Sequence, residues 1–217
     1  MRILAVNTFM SLDGVMQAPG APEEDPTGGF THGGWSVGYW DEQAMGWMTE
    51  ADPYELLIGR GTYEIFEAYW PYAEGPMADR LNGARKHVAS TTLERVEWNN
   101  ATLIPGDVVD YVVALKSQDG PEIQVHGSAG LLQTLFRNDL IDEFRLWILP
   151  VTLGSGKRFF GDGTIAGGLE LTGSKISETG VTVNTYRRAG EIKAGSFALD
   201  KPSEAEIERR RRLAASE

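Results

Sequence analysis

Hydrophobic positions along the chain switch between a period of two and a period near 3.6, the marks of strand and helix. Residues 3–9 read as a strand almost from the first residue. Residues 13–34 show no period and carry Gly14, Gly20, Gly28, Gly29, Gly33 and Gly34 with prolines 19, 22 and 26. So long a loop in a compact domain is usually functional, often a lid. From Asp41 onward, Ala44, Trp47, Met48 and Ala51 recur on one helical face until Pro53. Glu55–Ile58 is a short strand, and a helix from Thr62 places Tyr63, Phe66 and Trp70 on one side until Pro71. Strands follow at Lys86–Ser90 and Thr102–Ile104. A helix begins near Asp107, a plausible N-cap, with Val108, Val109, Val112 and Val113 inward. Residues 122–126 return as a strand, and the helix from Ser128 buries Leu131, Leu132, Leu135 and Phe136. Glu143–Leu149 alternates, with Phe144, Leu146 and Ile148 on one face. Segments 169–178 and 181–188, joined at Thr179-Gly180, predict an antiparallel hairpin.

Strands alternating with helices over the first two-thirds imply an α/β fold with a mostly parallel sheet, to which the hairpin adds antiparallel edge strands. Residues 1–189 form one domain in this reading. Residues 190–217 are a charged, partly helical appendage. There Glu206/Arg210 and Glu208/Arg212 stand at i,i+4, and a solvated helix accounts for the basic run Arg209–Arg212 better than a polyanion-binding tail.

Of the 217 residues 41% are hydrophobic, enough for a full core in one domain. No run of about 18 apolar residues is present, so no membrane span is expected. The N-terminus turns polar too soon for a signal peptide. Without cysteine there is no disulfide, thiolate catalysis or zinc–cysteine site, and a reducing cytoplasm is the simplest compartment. A net charge of −11 argues against nucleic acid as a partner. A bound anion then needs local donors.

Two glycine-bearing turns offer them. Leu56-Leu57-Ile58-Gly59-Arg60-Gly61-Thr62 and Val125-His126-Gly127-Ser128-Ala129-Gly130-Leu131 each carry a strand into a helix N-terminus. Free N–H groups and the positive end of the helix dipole suit a phosphate there. Two such turns suggest a dinucleotide, although neither is a G-x-G-x-x-G, since Glu64 stands where a third glycine would. The bland alternative is that the glycines only permit tight turns. Strand 86–90 ends in Ser90-Thr91-Thr92 with no carboxylate before Glu94, and Arg60 sits in the first turn. Hydroxyls and a guanidinium favour the 2′-phosphate of NADP over the bare ribose of NAD. Arg60 has an alternative in pairing with a surface carboxylate.

Gly59-Arg60-Gly61-Thr62-Tyr63-Glu64, Ser90-Thr91 and His126-Gly127-Ser128-Ala129-Gly130 resemble the three NADPH-binding segments of the dihydrofolate reductase superfamily. Met10-Ser11-Leu12-Asp13-Gly14 and Leu149-Pro150-Val151-Thr152-Leu153-Gly154-Ser155-Gly156-Lys157-Arg158-Phe159-Phe160 resemble its riboflavin-biosynthesis branch, the RibD C-terminal domain. The resemblance spans about residues 2–188. It implies a dihydrofolate reductase-like three-layer fold with about eight strands, hydride transfer from NADPH, and a homodimer. It also implies that Ala5, Val6 and Asn7 flank the nicotinamide through backbone groups, with Asp13 and Gly14 in the loop closing over it. Gly59, Arg60, Gly61 and Thr62 would hold the pyrophosphate and adenosine side, Ser90 and Thr91 the 2′-phosphate, and Gly127, Ser128, Ala129, Gly130 and Leu131 pyrophosphate at the second helix start. Asn7 and Val15 stand where that branch carries cations suited to a phosphoribosyl group. Leu146–Pro150 lacks the threonine that folate reductases use.

For a proton source the candidates are Asp41, on the argument that a desolvated carboxylate can be tuned toward neutral pH, then Glu42 and Asp13. Asp41 and Glu42 at a helix start also suit the dipole, and an Asp before a Gly also forms turns. Trp35 and Trp40 are the candidates to sandwich a planar ring; Trp47 follows the core period. His32, His87 and His126 lack metal-ligand spacing, so no metal is expected, and His126 reads as a residue packed at a strand end. The expectation is an NADPH-dependent reductase of a small planar heterocyclic or carbonyl/imine substrate, similar to the (phosphoribosylamino)uracil reductase of riboflavin biosynthesis. The rivals are dihydrofolate reductase activity, a non-catalytic nucleotide-binding module and a flavin-using protein.

Overall fold

A computed structural model describes residues 1–50, 52–162 and 164–216. Eight strands form one sheet: β1 (Leu4–Ser11), β2 (Tyr54–Gly59), β3 (Lys86–Ala89), β4 (Ala101–Leu103), β5 (Glu122–His126), β6 (Glu143–Leu149), β7 (Leu169–Ile176) and β8 (Thr182–Arg188). Their order is β4-β3-β2-β5-β1-β6-β8-β7. Pairing is parallel from β4 to β6 and antiparallel for β6–β8 and β8–β7. Gly180, at φ +84°, makes the tight turn of the hairpin.

The helices are α1 (Glu42–Thr49), α2 (Arg60–Tyr69), α3 (Pro76–Gly83), α4 (Val108–Ser117), α5 (Ala129–Arg137) and α6 (Glu204–Ala214). Helices α1 to α5 cover the sheet on two sides, giving three layers. On one face Leu4, Val6, Leu57, Ile123, Val125, Phe144 and Leu146 pack against Val112 and Leu115 of α4 and Leu132, Leu135 and Phe136 of α5. On the other, Leu56, Ile58 and Val88 meet Tyr63 of α2 and Leu81 of α3, while Trp147 and Leu149 meet Ala44 of α1. Central parallel strands are buried on both faces. That is why β6 hides Trp147 and Leu149 as well as Phe144 and Leu146, where one-sided alternation was expected.

Other expectations shift. Helix α2 starts at Arg60, two residues before Thr62, because Gly59 is its N-cap. In α4 the inward stripe is Val108, Tyr111, Val112 and Leu115, and Val113, expected inward, is exposed. Helix α3 had no clear period; Pro76 at its first turn starts it, and only Ala78 and Leu81 are buried. Ala51, expected on the inward face of α1, lies outside the described residues.

The long loop after β1 is fastened rather than loose. Val15, Met16, Gln17 and Ala18 are buried, Met16 N–H donates to the Lys157 carbonyl at 2.9 Å, and Phe159 N–H to the Gly14 carbonyl at 2.9 Å. The Gln17 amide donates to the Asp25 and Thr27 carbonyls, both at 2.9 Å. The tail helix α6 buries no residue and is laced by Glu206 to Arg209 and Arg210 and by Glu208 to Arg211. No helix of the described residues is long and apolar enough to cross a membrane.

Candidate functional site

The two glycine turns form one interlocked unit. Strands β2 and β5 are parallel neighbours, so Gly59 and His126 end side by side. From there α2 runs over one face of the sheet and α5 over the other. Ser128 lies between them in the left-handed region, φ 62° and ψ 49°. Its hydroxyl donates to the His126 carbonyl at 3.0 Å and accepts Gly59 N–H at 3.0 Å, while its own N–H donates to Thr62 Oγ1 at 2.9 Å. A left-handed non-glycine residue costs about 1–2 kcal/mol, and three hydrogen bonds worth about 1 kcal/mol each offset it. Gly127, at φ +56°, brings the chain so close that a Cβ would sit 3.1 Å from Thr62 Oγ1.

Because Ser128 bonds across the turns, it does not cap its own helix. Among the described residues no side chain caps α2 or α5. Two helix N-termini thus present unpaired N–H groups at adjacent strand ends. Gly61 and Gly130 leave open space beside them. Such a cradle accepts a phosphate-bearing group.

The end of β3 adds hydroxyls. Ser90 Oγ accepts N–H from Thr92 at 3.1 Å and Leu93 at 3.0 Å, which leaves its O–H as a donor. Thr91 is exposed beside it. Arg60 is half exposed and pairs with Glu64 at 3.4 Å, the surface partner its position allowed. An exposed pair of this kind is worth little and yields readily to a better anion.

Below the turns runs a polar strip that the sequence reading passed over. On the face shared by α1 and α2, registers place Arg145, Asn7 and His126 in one row across β6, β1 and β5. Arg145 donates two bonds to Glu122, at 2.7 and 2.6 Å, and one to Glu143 at 2.8 Å. Glu143 also takes Arg187 at 2.9 Å. Gln124 donates to Glu122 at 2.7 Å and meets His126 Nε2 at 2.8 Å. Burial, and then the Arg145 charge, push His126 down to about 4, so it is neutral near pH 7. The signal for this strip was alternate polar residues, Glu122-x-Gln124-x-His126 and Glu143-x-Arg145, inside strands buried on both faces.

A family model, the RibD C-terminal domain, matches residues 2–183. The chain belongs to the RibD C-terminal domain family. Among curated proteins it is 31% identical over 140 residues to the uncharacterized protein YyaP of Bacillus subtilis, covering 62% of this chain and 74% of that one. It is 29% identical over 120 residues to YwjB of the same organism, covering 55% and 66%. Among solved structures it resembles a Shewanella protein provisionally assigned to riboflavin biosynthesis (TM-score 0.61, 21% identity, 86% of this chain and 98% of that one). It also resembles Enterococcus faecalis dihydrofolate reductase, solved with NADP(H) (TM-score 0.53, 14% identity, 86% and 96%). A pyrimidine reductase-like protein of Corynebacterium diphtheriae is a third (TM-score 0.58, 12% identity, 89% and 93%). The fold is dihydrofolate reductase-like.

Within this RibD C-terminal domain the expected acids are otherwise engaged. Asp41 is the N-cap of α1: Oδ1 accepts Ala44 N–H at 2.7 Å, and Oδ2 accepts Thr179 N–H and Oγ1–H, both at 3.1 Å. The Ala44 bond leads in holding its carboxyl below the usual range, the reverse of the desolvated acid expected. Asp13 accepts Ser11 Oγ–H at 2.6 Å, Leu153 N–H at 3.0 Å and Gly154 N–H at 2.8 Å, and the Ser11 bond leads in lowering it to about 2. It staples the post-β1 loop to residues 153–154, and the Arg158 guanidinium donates to its carbonyl. Glu42 is exposed in the first turn of α1. Trp40 meets Phe9 edge-on at 4.8 Å and Trp147 at 5.6 Å, forming an aromatic wall beside the strip. Trp35 instead donates to the Gln17 carbonyl at 2.8 Å and packs with Val15, Ala18 and Phe30 in the loop. Ala5 and Val6 are fully buried, so only their backbone can face a ligand. No metal-binding group of His, Asp or Glu occurs among the described residues. A groove of about 620 Å³ lined by Pro53, Tyr54, Pro76 and Arg80 lies at the opposite, N-terminal edge of the sheet.

Proposed function

We propose that this protein is an NADPH-dependent reductase of a planar heterocyclic or carbonyl/imine substrate, the chemistry of the riboflavin-branch reductases. The observation that carries the reading is the interlocked pair of uncapped helix N-termini at Gly59–Thr62 and Gly127–Leu131. Its donor set fits the group: neutral backbone N–H groups for a pyrophosphate, open space at Gly61 and Gly130, and Ser90, Thr91 and Arg60 for a 2′-phosphate. When bound, NADPH supplies a hydride. The chain holds the phosphates on its two turns and seats the nicotinamide against the Ala5–Asn7 backbone. The Phe9, Trp40 and Trp147 wall excludes water from one side of the polar strip. Asp13 and Asp41 stay ionised and donate no proton to the substrate.

The reading extends to a homodimer. Edge strand β7 is exposed along its whole length and shows Leu169, Leu171 and Ile176 to solvent, an edge that a second copy would cover.

Gly130→Asp tests the proposal. Nothing lies within 4 Å of a Cβ there, and a carboxylate in the first turn favours the helix. The fold therefore survives, while the new charge repels a phosphate. Loss of NADPH binding and of NADPH consumption, with an unchanged melting curve, is expected. Undiminished NADPH binding by Gly130→Asp would refute the site.

A further inference from the structure

Two neighbouring side chains in the polar strip have their polar atoms oriented by partners that permit one arrangement only. Asn7 and His126 are cross-strand partners of β1 and β5 and share a face. The Trp147 indole N–H can only donate, and it sits 2.7 Å from Asn7 Oδ1. The Asn7 NH2 group is therefore turned away from Trp147, and it has no partner among the described residues. A similar chain of constraint fixes His126. The Glu122 carboxylate only accepts, so Gln124 turns its NH2 to Glu122 and its Oε1 to His126 Nε2. Nε2 must then carry the proton of the neutral imidazole, and Nδ1 is left as an acceptor. Nδ1 also has no partner among the described residues. Neither atom is sealed away: among the described residues, neither is a buried side-chain polar atom left without a hydrogen bond.

A donor on one strand thus stands beside an acceptor on the next, with strands about 4.8 Å apart. We propose that Asn7 and His126 are a recognition pair for a cis-amide edge of the ligand, a ring or carboxamide C=O flanked by N–H. Asn7 Nδ2–H donates to the carbonyl, and His126 Nδ1 accepts the N–H. Both partners are oriented before the ligand arrives, so little rotamer freedom is lost on binding. Trp147 and the Gln124–Glu122–Arg145 chain act as positioning groups. The inference rests on the reductase reading and adds to it the edge that the site reads. Two ligands carry that edge: a lactam ring of the substrate, and the carboxamide of the nicotinamide.

The probe for the first source is lumazine, a fluorescent bicyclic lactam, set against its derivative with both ring N–H groups methylated. The probe for the second is NADPH against its acetylpyridine analogue, which lacks the amide NH2. The variant is Asn7→Asp, which keeps an oxygen for Trp147 and replaces the donor by an acceptor. His126→Leu is the second variant, in case the first alters folding. Wild type is expected to prefer the amide-bearing member of one pair by roughly tenfold, and both variants to abolish that preference. Lost lumazine discrimination assigns the pair to the substrate ring; lost NADPH discrimination assigns it to the cofactor. Discrimination that is absent from wild type in both pairs, or that survives both variants, overturns the proposal. The lumazine arm is run without nucleotide, so failure of NADPH to bind would sink the reductase reading separately.

Discussion

The hydroxyl of Ser128 accepts the backbone N–H of Gly59 at 3.0 Å, joining turns that lie 69 residues apart. Removing that hydroxyl leaves the Gly59 N–H unpaired and Ser128's left-handed backbone in place. Ser128→Ala is expected to lower stability by about 1–3 kcal/mol. Ser128→Gly loses the same bonds but relieves the left-handed cost of about 1–2 kcal/mol. Urea midpoints should fall in the order wild type, Gly variant, Ala variant. An Ala variant more stable than the Gly variant would contradict the backbone conformation at Ser128.

The two glycines flanking Ser128 and Ala129 should respond oppositely. Gly127→Ala meets both a positive φ and Thr62 Oγ1, so it should cost about 1–2 kcal/mol and weaken nucleotide binding. Gly130→Ala has open space in the first turn of α5 and should be neutral or stabilising by up to about 1 kcal/mol. Equal denaturation midpoints for the two variants would argue against the tight approach at Gly127.

Asp13 gives a pH dependence with a definite sign. Its carboxyl is lowered from 3.8 to about 2 in the folded protein, chiefly by the Ser11 hydroxyl. The stability it contributes is present above its unfolded value and lost as pH falls through the folded one. Asp13→Asn should therefore melt below wild type at neutral pH, with the gap closing between about pH 4 and pH 2. A gap that is constant across that window would show that Asp13 does not hold the loop through its charge.

Asp41 separates a capping role from an acid role. Asn caps a helix as Asp does, so Asp41→Asn should keep α1 and retain turnover with an unshifted pH–rate profile. Asp41→Ala should lower the melting temperature by removing the acceptor for Ala44 and Thr179. Loss of turnover in a fully folded Asp41→Asn would restore the proton-donor role.

Local signals made much of this fold legible in the sequence. The strand-to-helix turns at Gly59 and Gly127 and the stripe Leu131, Leu132, Leu135 and Phe136 were visible because each uses one short segment. Helix α3 was hidden because two buried positions define no period. The inward face of α4 was misjudged at Val113, since four valines in six residues allow two stripes. The roles of Asp13 and Asp41 depend on Leu153, Gly154 and Thr179, about 140 residues away, and no local pattern carries that. The strip of Glu122, Gln124, His126, Glu143 and Arg145 is assembled only when β5, β1 and β6 lie side by side. His126 does sit at a strand end, as expected, but the chain that orients it was not foreseeable from its neighbours in sequence.

The measurement that bears most directly on the account is a titration with NADPH and with NADH, followed by quenching of the six tryptophans and energy transfer to the nicotinamide. Trp40 and Trp147 stand beside the strip where the proposed function would put that ring. NADPH should bind at least roughly tenfold tighter than NADH, the ratio expected for one charge-assisted contact to the 2′-phosphate, and Arg60→Ala should erase most of that preference. No binding of either nucleotide, or equal binding of both that Arg60→Ala leaves unchanged, would contradict the cofactor site on which the reductase reading stands.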